Sequence, residues 1–521
     1  MAETGSYTNR FDLGKLKSTS NWASDVADEV IRQHPDEPLY TCAAGISPSG
    51  VVHFGNFRDI VTAHLVRNAL VEKGKNARLI FSWDNFDRFR KVPSGVPESY
   101  VEHIGKPLSK IPDFCGEHAS YAEHFQAPFV EAMAKLGIDI EYRNQTELHE
   151  SGAYDAAIRE ALDRRLEIAD ILLSFMTDKA KGEKGIDPAA YRETYYPIAV
   201  YSRFTGTDIT KVQKVEGTNV TYLCVDTKQT ETVDIAHEHI AKLAWKIDWP
   251  MRWRHEKVHF EPGGHDHASP GGSYDVASTV AHDIYEYAAP IFVEYKFVGI
   301  QGLGAKMSGS KGNAVSPLEL LDIYEPELLK WLYSRKSPDQ SFELAFNTEI
   351  YRQYDEFDAE RGAADAIPFR QAVSFGQIVG WQADKLGAIL DALALSYSKE
   401  SIERRLPLAR NWLVKYNPDE VIALRTQADT QYANSLDSEQ KARIERLRSA
   451  LESAGDTVAE LETLVYDIPK EAGIEEAELK RVQRAFFKDV YMLLIGRDTG
   501  PRLGTFLWAS DRKQILKLLS V

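Results

Sequence analysis

The chain has 521 residues, 62 Lys plus Arg against 78 Asp plus Glu for a net charge of −16, and 43% apolar and 27% charged content, close to the globular average. These values exclude a mainly disordered chain, and the three cysteines exclude a disulfide framework and fit a reducing cytosol. At roughly 150 residues per domain the length predicts about three or four units. No apolar run reaches the ~18 residues a membrane span needs, and the first twenty residues carry no apolar signal segment, so neither span nor secretory signal is expected. The acidic balance argues against an indiscriminate nucleic-acid coat but leaves room for a local basic surface.

In chain order, residues 39–44 (LYTCAA) are short, apolar and β-capable, and residues 45–50 form a turn. Phe57, Ile60, Val61, His64, Leu65, Asn68 and Ala69 then recur at helical spacing, with Gly74 ending the helix. Residues 78–83 (RLIFSW) predict the next strand, completing a right-handed, parallel βαβ unit. Residues 93–243 are too long for a crossover and predict an insertion with its own structure. Within it, residues 129–143 run from helix to strand with Gly137 as the helix-ending residue, and residues 205–232 suggest short β hairpins. A strand over residues 295–300 is expected to enter a glycine-rich loop. Ser316 then opens a helix, with Glu319 completing a capping box and Pro317 in the first turn. Beyond residue 363 strand signals fade, and patterns such as 441–451 and 477–494 predict helices only, joined through Gly362-Ala363-Ala364.

Two loops suit nucleotide chemistry. The first, Pro48-Ser49-Gly50-Val51-Val52-His53-Phe54-Gly55-Asn56, lies between a strand and a helix start. Free N–H groups there make an anion site at the carboxyl edge of a parallel sheet. His53 can donate to a phosphate, Asn56 can donate its amide, and Gly55 lets a nucleotide approach the backbone. The second, Lys306-Met307-Ser308-Gly309-Ser310-Lys311-Gly312, brings two lysines and two serines to a loop that suits a departing pyrophosphate. Taken singly, the first also reads as a plain strand–turn–helix junction and the second as a solvated loop. The chain has no GxxxxGK[ST] sequence, which disfavours an ordinary P-loop hydrolase or kinase.

Together the two loops resemble the HIGH and KMSKS signatures of class I aminoacyl-tRNA synthetases. GISPSGVVHFGNFRD, SWDNFDRFRKVP, DWPMRW, FEPGGHDH, GSYD, YKFVGIQG and KMSGSKGN are similar, in order and spacing, to the class I lysyl-tRNA synthetase family. The likeness runs from Trp22-Ala23 to Arg512. It implies an α/β Rossmann-type parallel-sheet catalytic domain (20–92 and 244–335) with an α+β connective insertion (93–243). A linking region (336–362) and an all-α anticodon-binding domain (363–521) follow. The implied activity is ATP-dependent activation of L-lysine to lysyl-adenylate and its transfer to tRNA(Lys), with release of AMP and diphosphate. The implied setting is a cytoplasmic monomer using ATP with Mg²⁺. The resemblance assigns catalysis to His53, Asn56, Lys306, Ser308 and Lys311. It assigns ATP binding to Pro48, Ser49, Gly50, His53, Gly55, Asn56, Lys306, Met307, Ser308, Gly309 and Ser310. Gly309 stands where KMSKS has its second lysine, a variation the family shares. Lys311 is the candidate replacement charge, and which of Lys306 and Lys311 touches phosphate stays open.

A lysine pocket needs a carboxylate or several acceptors for the ammonium and an aromatic wall for the stem. Gly45 and Ser47 on the turn are expected at the α-amino end, with Trp245, Asp266, His267 and Tyr295 around the substrate and Asp84 and Asp87 as further acids. Core packing is the other reading of Trp245 and Tyr295. Asp113, Glu117, His118 and His124, with Cys115 as the alternative to Glu117, match a stretch in which archaeal members bind zinc. Zn²⁺ is therefore one reading, and a helix start with exposed histidines the other. Cys224 stands alone where some relatives have a second knuckle, so no zinc is expected there. Arg88-Phe89-Arg90-Lys91 and Arg252-Trp253-Arg254-His255 combine cations with aromatics that suit a tRNA acceptor end. The resemblance places Arg404, Arg405, Arg410 and Lys415 at the anticodon arm. The rivals are a class I synthetase for glutamate, whose pocket should offer arginines, and a catalytically idle RNA-binding relative.

Overall fold

The computed structural model describes residues 7–15, 21–183, 185–301, 314–453, 455, 457–470 and 475–520. The chain forms two compact units, Met1–Leu321 with Leu329–Leu344, and Asp322–Leu328 with Ala345–Val521.

The first unit is built on a parallel sheet. Helix α1 (Trp22–Gln33) precedes β1 (Tyr40–Ile46), α2 (Phe54–Glu72), β2 (Ala77–Trp83), α3 (Tyr121–Lys135) and β3 (Glu141–Asn144). After an inserted region come α4 (Trp245–Glu256), β9 (Val258–Gly264), the short α5 (His265–Ala268), α6 (Ser273–Asp283) and β10 (Ile291–Tyr295). The strand order is β10-β9-β1-β2-β3, every pair parallel. This is a doubly wound sheet whose direction of growth reverses between β1 and β9, so a crevice opens beyond the carboxyl ends of those two strands. Tyr40, Thr41, Cys42, Ala43 and Ala44 are all buried, as a strand covered on both faces requires.

The βαβ expectation holds, with Gly74 at φ +76° after α2 and Gly137 at φ +64° after α3. Ser316 caps a single helical turn, Pro317–Leu320, in the expected capping box with Glu319. The inserted region carries helices and an antiparallel sheet of β5 (Thr210–Glu216), β6 (Asn219–Cys224) and β7 (Thr230–Asp234). A short pair, β4 (Ile198–Val200) with β8 (Ala241–Leu243), closes it.

Two elements differ from expectation. The strand foreseen over residues 295–300 is split: Tyr295 ends β10, and β11 (Val298–Gln301) pairs instead with β12 (Phe342–Ala345). The Lys296 N–H donates to the Pro338 carbonyl (2.8 Å), drawing the chain off the main sheet. Strand β9 was not foreseen, because Pro262, Gly263 and Gly264 read as breakers. Gly263 is required there, since a Cβ would lie 2.5 Å from the Phe292 ring.

The second unit is mainly helical, including Ser438–Ser453 and Glu476–Ile495 where helices were expected. Helix Glu349–Arg361 belongs to it and ends at Gly362 (φ +64°). Arg405 is buried, paired with Glu325 and Asp358 and bonded to the Ile367 carbonyl. It is therefore a core clamp rather than the RNA contact expected of it. Arg404 pairs with Glu400 and Glu325, and Lys415 with Asp322.

Candidate active site

At the crevice, β1 ends in Gly45-Ile46 and the turn runs through Ser47 to His53. The His53 Nδ1 accepts from the Gly55 N–H (3.1 Å), and the Asn56 side-chain oxygen accepts from the His53 N–H (3.2 Å). The two side chains thus close a capping box at the start of α2. With Nδ1 an acceptor, the ring proton sits on Nε2, which is free to donate. Burial holds the ring pKa below its ordinary value, so His53 works as a neutral donor. Gly55 also answers a local demand: a Cβ there would lie 2.8 Å from His53 Cε1. The corner opens on a cavity of about 420 Å³ lined by Ser47, Ser49, Gly50, His53, Asn56, Arg90 and Lys91 among others. Pro48 is buried and is not among the residues that line it.

Lys306, Met307, Ser308, Gly309, Ser310 and Lys311 lie outside the described residues. The chain beyond them returns to the histidine corner, because the Phe54 N–H donates to the Val315 carbonyl (2.9 Å). The Tyr333 hydroxyl donates to the Phe54 carbonyl (2.8 Å), and Arg58 donates to the carbonyls of Ser337, Pro338 and Gln340.

A second cavity, of about 510 Å³, adjoins the first, with Ser47, Asn56 and Arg90 lining both. It brings together Gly45, Ser47, Asp84, Trp245, His267 and Tyr295. Asp266 is exposed on α5 and does not line this cavity; a helical step turns it away from its neighbour His267, which does. Trp245 lies parallel to Trp249 (5.2 Å, 14°), and His267 stands 5.5 Å from Trp249. Asp84 is not free to meet a cation: Arg252 is ion-paired with it and with Asp248. Asp87 is likewise paired with Lys242, and Arg88 with Asp208 (3.3 Å).

Two lining carboxylates escaped the sequence reading. Asp59 accepts from the Gly45 N–H (3.3 Å) and the Tyr295 hydroxyl. Glu261 accepts from the indole N–H of Trp249 (3.0 Å) and of Trp253 (2.6 Å). Burial pushes the Glu261 carboxyl up to about 7 against those two bonds. Burial and then the Glu261 charge push Asp59 well above the usual range. A signal existed for both: Asp59 lies three residues beyond Asn56 on one helix face, and Trp245, Trp249 and Trp253 make an i, i+4, i+8 stripe.

The basic runs also divide. Phe89 and Trp253 are core residues and cannot stack on bases, and Arg252 is spent on carboxylates; Arg90 and Lys91 remain exposed. Away from the crevice, ligand atoms of Asp113, Cys115, His118 and His124 lie within 4.8 Å of one another. Cys115 Sγ is 2.9 Å from Asp113 Oδ2 and 3.3 Å from His124 Nδ1. The alternative, Cys115, takes the place given to Glu117, which is exposed and only donates its N–H to Asp113 (2.9 Å).

The model of a family described as tRNA synthetases class I (K) matches residues 20–372. A lysine–tRNA ligase of Streptomyces coelicolor is 37% identical, over 97% of this chain and 99% of the relative. One from Thermococcus kodakarensis is 34% identical over 96% and 99%, and one from Borreliella burgdorferi 30% over 94% and 96%. The chain belongs to the class I (K) family of tRNA synthetases.

Proposed function

We propose that the protein activates L-lysine with ATP to lysyl-adenylate and transfers the lysyl group to tRNA(Lys), releasing AMP and diphosphate. The observation that carries this reading is an aromatic cavity beside the His53–Asn56 corner in which the wall's cations at Arg252, Lys242 and Arg88 are already paired and two carboxylates are not. That balance suits a cationic side chain; Arg90, the lining arginine left unpaired, belongs to the part shared with the His53 corner, and beside the tryptophan wall glutamate would meet two carboxylates and an arginine already held by aspartates. Relatives that act as lysine–tRNA ligases over nearly the whole length support it.

In this reading ATP enters as its Mg²⁺ complex, with its phosphates at the N-terminus of α2, where free N–H groups favour anions. Pro48, Ser49, Gly50 and Gly55 shape that turn. His53 Nε2–H and the Asn56 amide donate to phosphate oxygens. Lysine is placed with its α-ammonium at Gly45, Ser47 and Asp59 and its stem along Trp245, near His267 and Tyr295. The lysine carboxylate attacks the α-phosphorus, the bond to the bridging oxygen breaks, and diphosphate leaves. Lys306 with Ser308 to Lys311 balances the charge that develops. The terminal ribose hydroxyl of the tRNA then attacks the adenylate carbonyl and AMP leaves. Positioning and electrostatics carry both steps.

Residues 20–92 with 244–335 are read as the catalytic domain, 93–243 as the insertion, 336–362 as the link and 363–521 as the anticodon-binding part. Arg90 and Lys91 suit the acceptor end. Asp113, Cys115, His118 and His124 suit Zn²⁺: four protein donors of thiolate, imidazole and carboxylate type leave no open position, so the ion would pin the turn before α3. No helix among the described residues is long and apolar enough to cross a membrane, and the protein is read as a cytoplasmic monomer.

Lysine-dependent ATP–pyrophosphate exchange and lysylation of total tRNA test the reading. Exchange supported by glutamate and not lysine would overturn it. Tight tRNA binding with no exchange would favour the idle relative.

A further inference from the structure

Lysine differs from its neutral isosteres only at the end of its side chain, so selectivity needs a group that meets the ε-ammonium. The Asp84 carboxylate already holds Arg252, which also holds Asp248; Asp87 holds Lys242. Two cavity-lining carboxylates, Asp59 and Glu261, have no lysine, arginine or histidine among the described residues within ion-pairing distance. They differ in surroundings. Asp59 sits on the first turns of α2 and reaches the end of β1, bonded to the Gly45 N–H. Glu261 sits on β9 against the tryptophan stripe of α4, bonded by two indole N–H groups at 3.0 and 2.6 Å.

Those bonds use one lone pair of each oxygen and fix the carboxylate plane. An ammonium carries three donors and an indole nitrogen only one, so the oxygens can still accept from a cation. Trp245, stacked flat on Trp249, offers a face along which four methylenes can lie. An unpaired carboxylate in such a wall is costly, and the raised Glu261 pKa reflects that cost.

We infer that Glu261, oriented by Trp249 and Trp253, receives the ε-ammonium of lysine and sets the enzyme's selectivity for it. The inference rests on the lysine-activating reading and names the part of the cavity that distinguishes lysine from an uncharged amino acid of the same length. Arg252 on α4, Asp84 at the end of β2 and Asp59 on α2 are the charged groups that face Glu261. Arg252 is held by two aspartates, so the substrate's cation becomes the partner that Glu261 lacks.

Exchange kinetics with lysine, 6-hydroxynorleucine and norleucine test it in the full-length enzyme. In Glu261→Gln the KM for lysine should rise roughly a hundredfold, as for loss of a charged hydrogen-bond partner, with the KM for ATP unchanged. The preference for lysine over 6-hydroxynorleucine should collapse. Glu261→Asp, which keeps the charge, should recover most of that preference. Asp59→Asn should weaken all three amino acids alike, because all carry the α-ammonium. The wild-type KM for lysine should fall as pH rises through about 7, and Glu261→Gln should lose that step while keeping any that belongs to Asp59. Trp249→Phe, which removes one indole bond and keeps the wall, should move that midpoint upward. A Glu261→Gln enzyme with unchanged lysine KM and preference overturns the inference, as does one that loses ATP and lysine binding together. Absence of lysine-dependent exchange in the wild type overturns the functional reading instead.

Discussion

Asp84, Asp87 and Asp248 have their countercharge inside the chain, on Arg252 and Lys242. Asp59 and Glu261, in the same crevice, have only neutral donors: a backbone amide, a phenol and two indoles. The first set is complete without substrate and fixes the wall. The second keeps a charge that the fold alone leaves uncompensated, and such groups concentrate where a ligand supplies the missing sign. Asp84 and Asp87 line the same cavity as Asp59 and Glu261, and residue type alone does not tell wall from receptor; the position of the arginine and lysine does.

Breaking the complete set should have the largest effect. Arg252→Ala strands Asp84 and Asp248 in a buried place, and loss of one partner of a buried pair costs about 3–5 kcal/mol. Urea unfolding should show that loss in the transition of the first unit; an unchanged midpoint would mean that water already screens these aspartates.

His53→Ala leaves both sets intact and removes the Nε2 donor. Adenylate formation should fall about 10²-fold, as for one preorganised donor to a developing anion, while tRNA affinity holds. Wild-type exchange in this variant would remove His53 from the phosphate site.

The incomplete set should instead stabilise when its charge is removed. Glu261 is raised to about 7 in the folded protein from 4.5, so its stabilising contribution is full below pH 4.5 and is lost as pH rises through 7. Glu261→Gln lacks that loss. Its stability relative to wild type, without lysine, should therefore increase between pH 5 and pH 8, by about 1–3 kcal/mol. Urea midpoints of both proteins at the two pH values measure it.

These contrasts show which parts were legible. The βαβ unit, the caps at Gly74 and Gly137 and the Ser316 capping box follow from local rules, so residue spacing exposes them. Strand β9 was hidden because its Pro-Gly-Gly segment obeys a tertiary demand, the closeness of Phe292, over local propensity. His53 and Asn56 were legible as types in a pattern, but the local demand on Gly55 was not: the His53 ring that it accommodates belongs to its own turn. Asp84 and Arg252 are 168 residues apart and only folding pairs them, so the sequence offered each to a different ligand. The order of wall and receptor was therefore beyond any reading by residue type.

The Gly55 account makes a smaller, local test. Gly55→Ala should push the His53 ring off the Gly55 N–H without touching either carboxylate set. The far end of one side chain can swing away, so the fold should persist and exchange should drop about tenfold, close to the loss of one hydrogen bond's alignment. A tRNA-binding constant equal to wild type would separate this from general damage.

Asp113 completes the comparison, because its countercharge would come from neither the chain nor the substrate. If Zn²⁺ is that partner, elemental analysis of the purified protein should give about one zinc per chain. Cys115→Ala should lose it and Glu117→Ala should keep it, since the Sγ and not the Glu117 carboxylate stands among the other three ligand atoms. The ion sits outside both cavities, so exchange rates should change by less than about twofold and the reading should come from metal content and melting temperature. Retention of zinc in Cys115→Ala with loss in Glu117→Ala would return the site to the sequence's first choice, and no zinc in the wild type would leave Asp113 held by the N–H groups of Cys115, Glu117 and His118, the Cys115 thiol and the His124 ring.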